Sequence, residues 1–411
     1  MNILRSLTVI LAACLCVQAQ TAPNRNPGGL PAGYWPAERS AAIIAKTQTV
    51  RLAPDLSHLS EGERKAVARL IEVGRIFQGV YEQQRHRDAP SARLSLEALN
   101  RNSTAATATQ NLLALYRLNQ GPIATTLDNK REPFMPVEMT PPGVNLYPWG
   151  ITKAELDAFL AAHPERRDSI LNLRTVVRRA TAQNLRADLA KLRRYPALST
   201  LHPGLQNDLT KLSARPDAKM LYAVPYSVAY AGEMIRSHAL LNEAADAVQK
   251  DDEEFARYLR NRARDLLSDD YESGDAAWIT GRFKNLNAQI GSYEVYDDEL
   301  YGVKAFYAFN VLATRRQETE ELRRAMKGLQ ALEDSLPYDR HKRVREDIPV
   351  GVYDVIADFG QSRGGNTATI LPNESYLARR YGRTILLRAN IMRHPEIFQS
   401  SGNAWGAAVA P

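Results

Sequence analysis

IGSYEVYDDELYGVKAFYAFN, residues 290–310, is the stretch on which the reading of the fold turns. From Ile290 to Tyr296 the period is two, so Ile290, Ser292, Glu294 and Tyr296 share one face while Gly291, Tyr293 and Val295 share the other. The spacing predicts a strand whose end carries a carboxylate and a phenol pointing the same way. After Asp297, Asp298 and Glu299, the apolar residues Leu300, Val303, Phe306 and Phe309 recur every three positions. That predicts a helix with acids in its first turn, facing the positive end of its dipole. On pattern alone, a polar sheet face is the simpler account of Glu294 and Tyr296.

Downstream, Val352 to Phe359 alternates and reads as a second strand, with Glu318 to Glu333 before it as an amphipathic helix. Gly360 to Thr367 is a loop, Ala368 to Leu371 a third strand, and Pro372-Asn373 a turn into a helix with Asn373 as N-cap. Upstream the chain is mostly helical. Ser60 and Glu63 form a capping box before a helix to about Gln84, and a further helix is expected from Ala105 to Leu118. Gly121 to Gly150 is irregular, of a length that wraps a core or lines a cleft. Thr152 and Glu155 open a second capping box, and the pattern from there to Lys211 is helical with breaks at proline. Helices over Pro225–Gln249 and Glu253–Leu267 precede a loop, Ser268 to Phe283. The fold class expected is α+β, predominantly helical.

With 44% hydrophobic and 24% charged residues among 411, the composition is that of a soluble globular protein. Met1 to Ala19 reads as a secretory signal peptide, too short to span a bilayer. Export to the periplasm or outside the cell is the expectation. Both cysteines, Cys14 and Cys16, lie inside it; Leu11 to Cys14 also resembles a lipoprotein box, which would make Cys14 a lipid anchor. Gln20 to Pro36 has linker composition. The net charge of +7 comes with basic pairs such as Arg166-Arg167 and Arg323-Arg324 set between acids, which describe solvated helix faces and exclude a nucleic-acid partner.

No His-Glu-x-x-His turn is present, and the seven histidines are too scattered for a zinc-ligand spacing. There is no Gly-x-Ser-x-Gly elbow, and Ser362-Arg363-Gly364-Gly365 lacks the Lys-Ser/Thr of a phosphate loop.

Taken together, IGSYEVYDDELYG, Pro225-Tyr226-Ser227-Val228 with Tyr230, Asp269 to Trp278, Asn145-Leu146-Tyr147-Pro148 before Thr152-Lys153, and Thr369 to Glu374 resemble, in order, stretches of the dipeptidyl peptidase III family of zinc exopeptidases. The resemblance covers about Leu56 to Phe398. It implies a two-lobed architecture, with a small β-barrel or sheet lobe and a helical lobe that bears zinc and is incomplete here. It implies short peptides as partners, bound as an added strand along the cleft edge. Glu294 would hold the peptide's free amino terminus, Asn373 would hydrogen-bond nearby, and Tyr296 would donate to the developing oxyanion. Two departures stand out: Ile370 occupies the place of a first asparagine, and the family's zinc signature does not occur in the chain.

The small-residue tail from Gly402 reads as cut off, which would leave a substrate-binding lobe inactive alone and prone to self-association. The domain reading is 1–19 signal peptide, 20–50 linker and N-terminal segment, and 51–411 the dipeptidyl peptidase III-like region. The alternatives are an exported non-catalytic peptide-binding protein and a helical structural protein.

Overall fold

The computed structural model describes residues 30–102, 106–344, 348–364 and 366–409, with side chains through 403. The signal peptide and Cys14 lie outside the described residues. Helix Glu61–Arg85 is the element on which the larger core assembles. Its start is fixed as the sequence predicts: Ser60 Oγ accepts from the Glu63 N–H (3.0 Å), and the Glu63 carboxylate accepts from the Ser60 N–H (2.9 Å). Ala66, Leu70, Val73 and Phe77 bury one face against helix Ala231–Val248 and the main sheet. Gly74 lets the helix approach that sheet, since a Cβ there would lie 2.2 Å from the Phe359 ring.

Nine strands form three sheets among the described residues. β1 (Ile123–Thr125) pairs with β2 (Arg131–Pro133), and β3 (Thr175–Ala180) with β4 (Asp217–Pro225), both antiparallel. The main sheet contains β5 (Leu286–Glu294), β6 (Phe306–Thr314), β7 (Val350–Gly360), β8 (Ala368–Leu371) and β9 (Thr384–Arg388), in the order β5-β6-β7-β9-β8. All its pairings are antiparallel except β7 with β9. β5 and β8 share no ladder, so of the barrel or sheet that the resemblance implies, the described residues form an open sheet. A second, smaller core joins helices Ala37–Ile44, Ala89–Asn102 and Ala106–Asn119 to β1 and β2. Leu30, Tyr34 and Trp35, in the stretch read as linker, are buried in it. The molecule is α+β and predominantly helical. No helix among the described residues is long and apolar enough to cross a membrane.

Three stretches correct the sequence reading. The helix expected after Asp298 is a turn followed by β6, which is buried on both faces along nearly its whole length. A doubly buried strand is a continuous apolar run, and period three cannot be told from it over so short a span. The turn is built by Asp298, which accepts the N–H groups of Leu300, Tyr301, Val303 and Lys304 and the Tyr147 O–H. Residues 175–180, expected within a helical run, form β3, whose Val176 and Val177 are buried. The loop expected over Ser268–Phe283 contains helix Glu272–Thr280, which buries Trp278 and Ile279.

Candidate functional site

β5 ends at Glu294, with a bulge at Tyr293 where the register to β6 shifts. The bulge and the strand end break the period-two relation: Tyr296 stands on the turn beyond, 81% exposed, and does not continue the strand face of Glu294. Glu294 is half-buried, and its carboxylate makes no hydrogen bond or ion pair with any described residue. Asn373, two residues past the end of β8, is exposed and donates from Nδ2 to the Tyr293 carbonyl at 3.4 Å. The structure therefore brings Glu294 and Asn373 together at one end of β8. Asn373 is not the N-cap of its helix: Ser375–Tyr381 starts one residue later, with Glu374 at the cap position.

Glu374 serves a different purpose, and Arg174 shows what it is. The guanidinium donates to the Ser292 carbonyl (3.0 Å), to Ser292 Oγ (3.2 Å) and to Glu374 Oε1 (2.7 Å), while lying 3.8 Å over the Tyr271 ring. One buried cation thus ties the end of β5 to the segment after β8, across a pair of strands that share no ladder. Its own loop is pinned by Lys304, whose ammonium donates to the carbonyls of Ile170 (2.6 Å) and Asn172 (2.8 Å) and to Thr175 Oγ1 (2.7 Å). Burial pushes the Lys304 pKa down to about 7, with Asp298 opposing. Behind the site, Tyr293 Oη donates to Asp275 (2.7 Å), and fully buried Arg262 binds both Asp275 (2.5 Å) and Asp265 (3.1 Å). Burial raises the Tyr293 pKa well above its ordinary value, so this phenol is a fixed donor. Tyr271 and Glu374 fall inside the two stretches, Asp269 to Trp278 and Thr369 to Glu374, that resemble the family, but without a role assigned to them; Arg174, a lone charge in the run SILNLRTVV, carries no sequence signal.

The remaining acids of the opening stretch are structural. Asp297 accepts from Tyr81 Oη (2.9 Å) and Gln361 (3.0 Å), and Glu299 pairs with Arg131 (2.7 Å). His202 is hydrogen-bonded to Ser227 Oγ (2.6 Å), and burial lowers its pKa. Beside this floor runs β8, hydrogen-bonded to β9 on one side only, with Ala368 and Ile370 exposed. An open strand edge ending beside an unpaired carboxylate and an amide can take an extended chain by main-chain hydrogen bonds and hold a cation at its end.

The structure of dipeptidyl peptidase III from Caldithrix abyssi superposes on 87% of this chain with a TM-score of 0.71, at 24% sequence identity. The fold is that of dipeptidyl peptidase III. The enzyme of that name from Corallococcus sp. strain EGB gives a TM-score of 0.68 at 26% identity, again over 87% of this chain. In sequence, the chain is 24% identical over 381 residues to Nudix hydrolase 3 of Arabidopsis thaliana, across 85% of its own length. It spans 46% of that relative and 60% and 59% of the two dipeptidyl peptidase III chains. No family model matches it. Zinc is implied by the dipeptidyl peptidase III fold. Among the described residues no group of three or more His, Cys, Asp or Glu side chains is placed to hold a metal ion.

Proposed function

We propose that this chain carries the peptide-binding part of an exported exopeptidase of the dipeptidyl peptidase III type, one that recognises the free amino terminus of short peptides. The observation that supports this reading is the half-buried, unpartnered Glu294 carboxylate at the end of an open strand edge, with Asn373 beside it. A peptide laid along β8 would satisfy the unpaired edge and bring its ammonium group to Glu294. The Asn373 carbonyl oxygen is free to accept one of the ammonium protons. Tyr296, on the turn two residues further on, would offer its O–H to the negative charge that develops on a carbonyl oxygen of the same peptide during cleavage, and not to the resting peptide. Arg174 and Glu374 do not touch the peptide in this scheme; they hold its two anchors in register.

A charge-assisted hydrogen bond is worth about 1.5–3 kcal/mol, roughly 10- to 100-fold in affinity. Calorimetric titration with a pentapeptide and with its N-acetylated counterpart tests the reading. The free-amine peptide should bind at least ~10-fold more tightly, and Glu294→Ala should abolish the difference. Equal affinity for the two peptides would refute it. Incubation with a dipeptidyl-naphthylamide and zinc separates the enzyme from a non-catalytic peptide binder: chelator-sensitive dipeptide release shows the former, binding without release the latter.

A further inference from the structure

A cavity of about 920 Å³ opens at the opposite end of the main sheet, where β5 begins, β6 ends and β7 and β9 begin. Asn287 lines it, seven residues before Glu294, a separation of roughly 23 Å along an extended strand. Six cations line it: Arg282, Lys284, Arg316, Arg323, Arg324 and Lys327. Among the described residues only one carboxylate does, Glu320, and Arg323 already binds it at 2.8 Å. The nearby acids Glu254 and Asp252 accept the backbone N–H groups of Arg282 and Lys284, both at 2.6 Å.

The side chains of Arg282, Arg316 and Lys327 make no hydrogen bond or ion pair with any described residue, and Arg324 reaches only the Glu320 carbonyl at 3.4 Å. In the wall, Thr314 Oγ1 is a buried hydroxyl without a partner. The floor is polar and rigid, with Trp278 Nε1 donating to Asn287 Oδ1 (2.8 Å) and Asn287 Nδ2 to Tyr353 Oη (2.9 Å). Cations gathered in a concavity repel one another and focus a positive field into it. Guanidinium forks match phosphate oxygens, and the volume lies in the range of small-molecule sites.

We propose that this cavity binds a small polyphosphorylated ligand, held by Arg282, Arg316 and Lys327 with Thr314 as a neutral hydrogen-bonding partner. The proposal is independent of the peptide reading, and it assigns the cavity a ligand of opposite charge to the peptide ammonium group.

Titration calorimetry of the full chain with inorganic tripolyphosphate is the test, with sulfate and citrate as competing anions. One site should be saturated, with affinity falling as ionic strength rises from ~0.05 to ~0.5 M. Arg316→Ala/Lys327→Ala should weaken it by roughly 30-fold or more, while Arg186→Ala, exposed and not among the cavity's lining residues, should not. Neither Arg316 nor Lys327 has a partner to lose among the described residues, so the unfolding midpoint of the double variant should match the parent protein. Thr314→Val, nearly isosteric, should cost a few-fold and provides a second readout. Tripolyphosphate binding no tighter than sulfate, citrate binding equally well, or an unaffected double variant would each overturn the proposal.

Discussion

Replacing Arg174 tests whether the two proposed peptide anchors, Glu294 and Asn373, are held together by one side chain. Arg174→Met keeps an apolar stem over Tyr271 but removes the three hydrogen bonds to Ser292 and Glu374. Removing one partner of a buried ion pair costs about 3–5 kcal/mol, because the remaining charge stays uncompensated. Glu374 keeps 27% of its side-chain surface exposed against 10% for Arg174, so solvent recovers part of that cost. The expected loss is therefore near the lower limit, about 3 kcal/mol. Adding Glu374→Gln removes the orphaned charge and should recover at least ~1 kcal/mol. Urea unfolding followed by tryptophan fluorescence measures both. The same single variant should lower the preference for a free-amine peptide, since Asn373 is no longer tethered beside Glu294. A loss below about 1 kcal/mol, or strict additivity of the two substitutions, would refute the bracing role.

Asp269 is half-buried as a residue, but its Oδ1 is buried without a partner among the described residues; desolvation of the carboxyl pushes its pKa up to about 6, and Oδ2 accepts the Ser227 N–H at 2.9 Å. Because the folded state binds this proton more tightly than the unfolded chain, stability from this group is greatest below about pH 4 and falls as pH rises to about 6. Asp269→Asn should flatten that part of the Tm–pH curve and raise stability at pH 7–8 by up to about 3 kcal/mol; an unchanged curve would exclude the group. Within helix Glu61–Arg85, Gly74→Ala should destabilise by about 1–3 kcal/mol through collision with Phe359. Gly79→Ala, which meets nothing within 4 Å, should instead stabilise by up to about 1 kcal/mol. Chemical denaturation distinguishes the two, and equal shifts would mean that close helix–sheet approach is not what Gly74 provides. Tyr296→Phe should leave peptide affinity within about two-fold, since the phenol is solvent-exposed and makes no contact; a large loss would move Tyr296 into ground-state binding.

Local signals carried well where local forces decide. The Ser60 capping box, the alternation of β7 and the short β8 were readable because each depends on neighbours a few residues away. β6 was not: burial on both faces removes alternation, and Phe306, Tyr307, Phe309 and Val311 then fit a helix as well as a strand. The acids at 297–299 suit the start of a helix, whereas in the structure Asp298 collects four backbone N–H groups to make a turn. The dipole argument and the turn argument need the same residues, and only long-range pairing chooses between them. At the site, Glu294 and Asn373 were marked on resemblance to a family, while Arg174, about 200 residues before Glu374, was invisible. Contacts at that separation leave no periodicity.

The open edge of β8 has a cost that bears on how the protein is handled. Ala368 and Ile370 are exposed, Ile370 at 55%, and no lysine, proline or inward charge interrupts the four residues of the strand. Main-chain hydrogen bonding does not distinguish a guest peptide from the same strand of a second molecule. At millimolar concentrations a strand edge of this kind competes with its own guest, so peptide affinity should decline as protein concentration rises. Selectivity for the guest then depends on what a neighbouring copy lacks at that position, a free ammonium group to meet Glu294.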